Sequence, residues 1–121
     1  MQSKLLGKIK ADFSKFEDKA LAILIYGSRA NGKATIKSDI DICLIAGSKE
    51  NAKQLYQETL SLQAKDPSYD IHIFELLPLY LKHEIIANHK IISCKNPIEL
   101  SYYFYFFRKL WQDQAVNRIK G

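Results

Sequence analysis

From Ile25 to Ile45 the chain reads IYGSRANGKATIKSDIDICLI. Its first half comes close to a phosphate-binding P-loop. Gly27, four residues, Gly32 and Lys33 are in place, but Ala34 stands where that loop uses a Ser or Thr hydroxyl to hold Mg²⁺. Thr35 comes one residue late, and one residue at a helix start turns a side chain about 100° away. A P-loop enzyme also needs a larger parallel sheet and a separate acidic strand, for which 121 residues are short. The stretch therefore calls for another way of holding a triphosphate.

The second half supplies one. Asp39 and Asp41 are separated by one residue at the start of an apolar run, Ile40, Ile42, Leu44 and Ile45. On a strand, alternation sends both carboxylates to the same face. Two like charges beside a core repel, and burying them is costly unless a cation neutralises them. A pair of divalent ions roughly 3.5–4 Å apart can clamp the attacking and leaving oxygens of a phosphoryl transfer. An isolated Asp-x-Asp is more often a solvated strand face, but here Gly27-Ser28 ends the preceding strand. Pairing of the two strands would bring the bend and the acids together. Gly27 then lets the backbone approach a phosphate, and Ser28 offers a hydroxyl and an N–H to its oxygens.

Outward from this stretch the chain reads as a mixed α/β domain. Leu5, Ile9, Phe13, Phe16 and Ala20 form one apolar stripe of a helix over 3–20. Leu21 to Tyr26 and Asp39 to Ala46 read as strands. Ser48 caps a helix with Asn51 to Lys65 as its body, whose inward face is Ala52, Leu55, Tyr56, Thr59 and Leu62. Tyr69 to Leu76 is a third strand, Pro78 opens a helix to about Asn88, and Lys90 to Cys94 is a short fourth strand. Pro97 starts a last helix. The expectation is one domain over 1–121, with a core at about 21–94, a C-terminal aromatic helix at about 97–119, and a small mixed sheet of about four strands flanked by helices.

Composition narrows the class. The hydrophobic fraction is 47%, ordinary for a globular chain, and no apolar run approaches the roughly 20 residues of a membrane helix. The opening MQSKLLGKIKADFSKFEDKA lacks the apolar block of a secretion signal. Cys43 and Cys94 lie in apolar segments and read as buried free thiols, which fits a reducing cytoplasm. His72, His83 and His89 have no ligand spacing and read as structural or exposed. The net charge of +5 favours an anionic partner only weakly, because the lysines are dispersed.

The pattern Gly-Ser, ten residues (Arg29 to Ser38), then Asp39-Ile40-Asp41 resembles the minimal nucleotidyltransferases of the DNA polymerase β superfamily; the fuller strings GSRANG and SDID are both present. The resemblance implies a palm-like nucleotidyltransferase fold and two-metal nucleotidyl transfer. Asp39 and Asp41 would bind Mg²⁺, and Gly27 and Ser28 would bind the triphosphate of ATP. A third carboxylate comes from a later strand in that family. Asp70 is the matching candidate, as metal ligand and general base, against the plain reading of a strand-start residue. Glu75 is a weaker rival of opposite parity. Arg29 and Lys33 could steady the triphosphate, but loop cations are more often solvated.

Family members transfer a nucleoside monophosphate to antibiotics, RNA ends or protein side chains. Those of this size resemble the antitoxins of HEPN/MNT pairs, which implies AMP transfer to a tyrosine of a helical HEPN ribonuclease. The segment SYYFYFFRKLWQ packs Tyr102, Tyr103, Phe104, Tyr105, Phe106, Phe107 and Trp111 into ten residues. One side of a small sheet cannot cover a full turn of aromatics, so some rings face outward or meet another chain, as homodimer or heteromer. Base stacking on RNA is a weaker use of the same rings. Two further readings stay open: a non-catalytic module that neutralises a partner by binding alone, and transfer to a small molecule or an RNA end.

Overall fold

The computed structural model describes residues 3–27 and 39–120, with side chains through residue 115. The chain runs α1 (Ser3–Phe13), β1 (Ala22–Tyr26), β2 (Ile40–Ile45), α2 (Lys49–Lys65), β3 (Tyr69–Ile73), α3 (Leu79–Ala87), β4 (His89–Cys94) and α4 (Pro97–Lys120). Short 3₁₀ turns follow α1 and β3, at Ser14–Phe16 and Phe74–Leu76. The element order is the one expected from periodicity, and the sheet is mixed, in the order β3-β2-β1-β4. β1 is antiparallel to both β2 and β4, whereas β2 and β3 run parallel. The parallel step follows from the crossover through α2.

Helices cover both faces of the sheet, which is why β1 and β2 read as continuous apolar runs rather than alternating ones. Ile23, Ile25, Ile40, Ile42 and Leu44 pack with Ile9, Phe13 and Phe16 from the first helix and turn, and with Ala52, Leu55 and Leu62 of α2. Leu24, Cys43 and Ile45 point the other way, against Ile85 and Ile86 of α3 and Leu100 and Phe104 of α4. Parity alone thus sorts each strand between two apolar layers.

Several boundaries differ from the expectation. The first helix tightens at Ser14 into a 3₁₀ turn, yet Phe13, Phe16 and Ala20 all stay buried, because a spacing of three suits that geometry. Ser48 does cap α2, accepting from the Asn51 N–H at 3.2 Å, but the helix already starts at Lys49. Tyr56 is 44% exposed rather than inward. It follows Leu55 by one residue, about 100° around the helix from the buried stripe. Pro78 is the N-cap of α3, one residue outside the helix. β3 stops at Ile73, three residues short of Leu76. Cys43 is buried, whereas Cys94 is only half-buried; both are free thiols.

The end of β2 and the border of the sheet are each finished by one side chain. Glu75, in the turn after β3, accepts from the Ala46 and Gly47 amides at 3.0 and 2.9 Å and from the Tyr103 hydroxyl at 2.7 Å. It ties the end of β2 to α4. Gln63 of α2 lies along β3, where its amide donates to the Tyr69 carbonyl and its carbonyl accepts from the Ile71 N–H at 2.9 Å. A side chain here takes the ladder positions that a further strand would occupy.

Candidate active site

The antiparallel register of β1 and β2 decides where the acids go. Tyr26 is the register partner of Asp41, so Gly27 leaves β1 beside that carboxylate. Gly27 has φ +73°, a conformation that L side chains rarely adopt. A Cβ there would run into the Asp41 carboxylate and stand 3.3 Å from its Cγ. Two constraints, backbone conformation and space, therefore require glycine at this corner. Ser28 lies outside the described residues, as do Arg29 and Lys33.

The parallel register of β2 and β3 brings in the third acid. Asp41 and Asp70 are direct partners across that pair. Burial, then the charge of Asp70 and a hydrogen bond between the two carboxyl groups, holds the Asp41 carboxyl above its ordinary range. Asp39 immediately precedes β2, is exposed, and adds a smaller push in the same direction. Glu75 is not a rival for this place. The strand has ended before it, and its carboxylate is spent at the other end of β2 on Ala46, Gly47 and Tyr103.

His72 was expected to be structural or exposed. In keeping with that, its side chain is 35% exposed; it shares the face of Asp70, two residues along β3, and its Nε2 lies 3.0 Å from Asp70 Oδ1. The spacing Asp-x-His on one strand was the available signal; a search for helical ligand spacing passes over it. The Tyr26 ring meets the His72 ring edge-on, with centroids 6.3 Å apart. Burial, then the charges around it, pushes the Tyr26 phenol up, so it stays protonated through the neutral range. A groove of about 290 Å³ opens next to this corner, lined by Tyr26, Gly27, Leu81, Glu84 and Asn88. Tyr26, Gly27, Asp41, Asp70 and His72 thus share one end of the sheet.

Among the described residues no three His, Cys, Asp or Glu side chains are already grouped as a metal site. The donor chemistry nevertheless fits a hard divalent cation. Asp41 and Asp70 present only carboxylate oxygens, at a point where two acids face each other and the Asp41 carboxyl is held above its ordinary range. Asp39, exposed just before β2, is close enough to be felt by Asp41.

α4 shows which aromatic rings the fold can absorb. Phe104 is buried, and Tyr103 and Phe107 pack with it around Phe74. Tyr102 at 71%, Tyr105 at 62% and Phe106 at 58% exposure face outward, with Ile98 on the same helix. Trp111 stacks on His83 of α3, with ring centroids 4.6 Å apart. No helix among the described residues is long and apolar enough to cross a membrane.

A family model described as "Polymerase beta, Nucleotidyltransferase" matches residues 7–98. A Methanocaldococcus jannaschii protein named "Putative protein adenylyltransferase" is 48% identical over 95 residues, which cover 78% of this chain and 72% of that one. Among solved structures, a chain of a toxin–antitoxin complex with AMP-PNP superposes with a TM-score of 0.69 at 19% identity, covering 95% of this chain and 93% of that chain. A chain of the Shewanella oneidensis complex of a tri-AMPylated HEPN toxin with its MNT antitoxin gives a TM-score of 0.67 at 20% identity, over 99% and 94% of the two chains. At such identities the superpositions speak for the fold.

Proposed function

This chain belongs to the polymerase β nucleotidyltransferase family, and we propose that it transfers AMP from ATP to a side-chain hydroxyl of a partner protein, a HEPN-like helical toxin for which it serves as antitoxin. The observation that carries this reading is the corner where Gly27 abuts Asp41 and Asp41 faces Asp70. The named function of the 48% identical relative supports the adenylyl donor and the protein acceptor.

In this reading Gly27 and Ser28 receive the triphosphate, and the absent Cβ of Gly27 lets the Asp41 carboxylate sit directly against that bend. Asp39, Asp41 and Asp70 would hold Mg²⁺, two ions in the two-metal scheme, which when bound neutralise the charge building on the phosphoryl oxygens and leaving group. The acceptor hydroxyl oxygen forms a bond to the α-phosphorus as the bond to the pyrophosphate oxygen breaks. Asp70, half-exposed on the border strand, takes the proton released by the hydroxyl. The two free thiols are in keeping with work in a reducing cytoplasm.

Incubation with labelled ATP, Mg²⁺ and a helical partner should label that partner, and Asp39→Asn or Asp41→Asn should abolish the label. Full labelling by those variants would overturn the assignment. The outward rings of α4 favour a second reading, in which binding alone neutralises the partner. Protection that survives in the Asp variants would select it.

A further inference from the structure

We propose that His72 is a positioning residue that fixes the Asp70 carboxylate so that it can share a divalent cation with Asp41; this rests on the role given to Asp70 above. Asp70 is half-exposed, at 50% of its side-chain surface, and a free carboxylate there can turn among staggered wells. His72 removes that freedom by holding Oδ1 from 3.0 Å. The carboxyl group so held belongs to the register partner of Asp41 on the adjacent strand.

The imidazole is itself restrained. It leaves β3 at the register position opposite Cys43, which is fully buried, and the Tyr26 ring stands edge-on against it. A chain of contacts thus runs from the centre of the sheet, through Tyr26 and His72, to Asp70. A partly exposed contact of this kind adds little to stability, so the pairing has small value as a staple. Support of a ligating carboxylate is another matter, since loss of such a partner commonly costs about 10–100-fold in metal affinity or activity.

The test uses Mn²⁺ alone, titrated against the full chain and followed by its electron spin resonance, together with partner labelling from ATP. His72→Leu keeps bulk and removes the donor. His72→Gln restores an N–H at comparable reach. The expected result is Mn²⁺ affinity about 10–100-fold weaker in His72→Leu, most of it recovered in His72→Gln, with labelling following the same order. Equal Mn²⁺ affinity in His72→Leu and the wild type would overturn the proposal, as would His72→Gln binding as weakly as His72→Leu. If His72→Leu melts early, His72→Phe keeps a flat ring against Tyr26 without the donor and decides the matter in the same way. Asp41→Asn separates the two levels of the argument. If it binds Mn²⁺ as well as the wild type, the site assignment fails and the role of His72 falls with it. If it loses Mn²⁺ while His72→Leu retains it, only the role of His72 is lost.

Discussion

Asp41 and Asp70 are register partners on adjacent parallel strands, and the charge of Asp70 adds to burial in holding the Asp41 carboxyl above its ordinary range. Two acids in that relation oppose the folded state whenever both are charged. The folded-state pKa of Asp41 lies above its unfolded value. Stability from this group is therefore complete below the unfolded value of about 3.9 and is lost as pH rises through the folded value. In EDTA, the melting temperature of Asp41→Asn relative to wild type should rise as pH climbs from 4 toward 7. Saturating Mg²⁺ should stabilise the wild type and not the variant. Melting curves over pH, with and without the ion, check both signs.

Transfer should respond in the opposite sense. Asp41→Asn relieves repulsion but removes a carboxylate proposed to hold the cation, so labelling of a partner should fall at least about a hundredfold while the protein stays folded. Rate measurements beside melting curves separate the two effects.

Gly27 and Gly47 make a matched pair. Both have positive φ, +73° and +94°, but a Cβ at Gly27 meets the Asp41 carboxylate whereas one at Gly47 meets only Leu21 Cβ at 3.8 Å. Either substitution by Ala should cost about 1–2 kcal/mol through backbone strain. Only Gly27→Ala should also weaken ATP binding and transfer. Calorimetry with ATP distinguishes them.

Glu75 is a buried carboxylate with three donors. Glu75→Ala leaves two backbone amides and a phenol without their acceptor and should cost about 3 kcal/mol, against about 1.5 kcal/mol for Tyr103→Phe. Both should keep normal turnover per folded molecule, because the carboxylate lies away from Gly27 and Asp70. Denaturant titration and active-site-normalised rates test the pair.

Tyr102→Ser with Tyr105→Ser removes two outward rings from α4 and leaves Tyr103, Phe104 and Phe107 in place around Phe74. Melting temperature should hold or change slightly, and partner affinity should drop by at least about tenfold, the loss expected when an aromatic anchor leaves an interface. Unchanged affinity would remove α4 from the contact surface.

Much of this architecture was legible before any coordinates. Gly27, Asp39 and Asp41 announce themselves because glycine, parity and charge each act over a few residues. Asp70 could be named by likeness, but its place opposite Asp41 depends on the parallel pairing of β2 and β3, which no local pattern encodes. Glu75 was set aside correctly, though by an argument that assumed a regular strand; the chain had already turned at Phe74. The contact between His72 and Asp70 was not foreseen because both lie on one strand, at a spacing that looks like ordinary alternation. Tyr56 was misplaced because a sequence shows that an aromatic sits near a stripe, not whether the space beneath it is already filled by Leu55.

Gln63 has an effect beyond the local geometry of β3. By answering the Tyr69 carbonyl and the Ile71 amide from a helix, it occupies two of the places an incoming extended peptide would need. A second copy laid backbone to backbone along β3 would have to displace that side chain first.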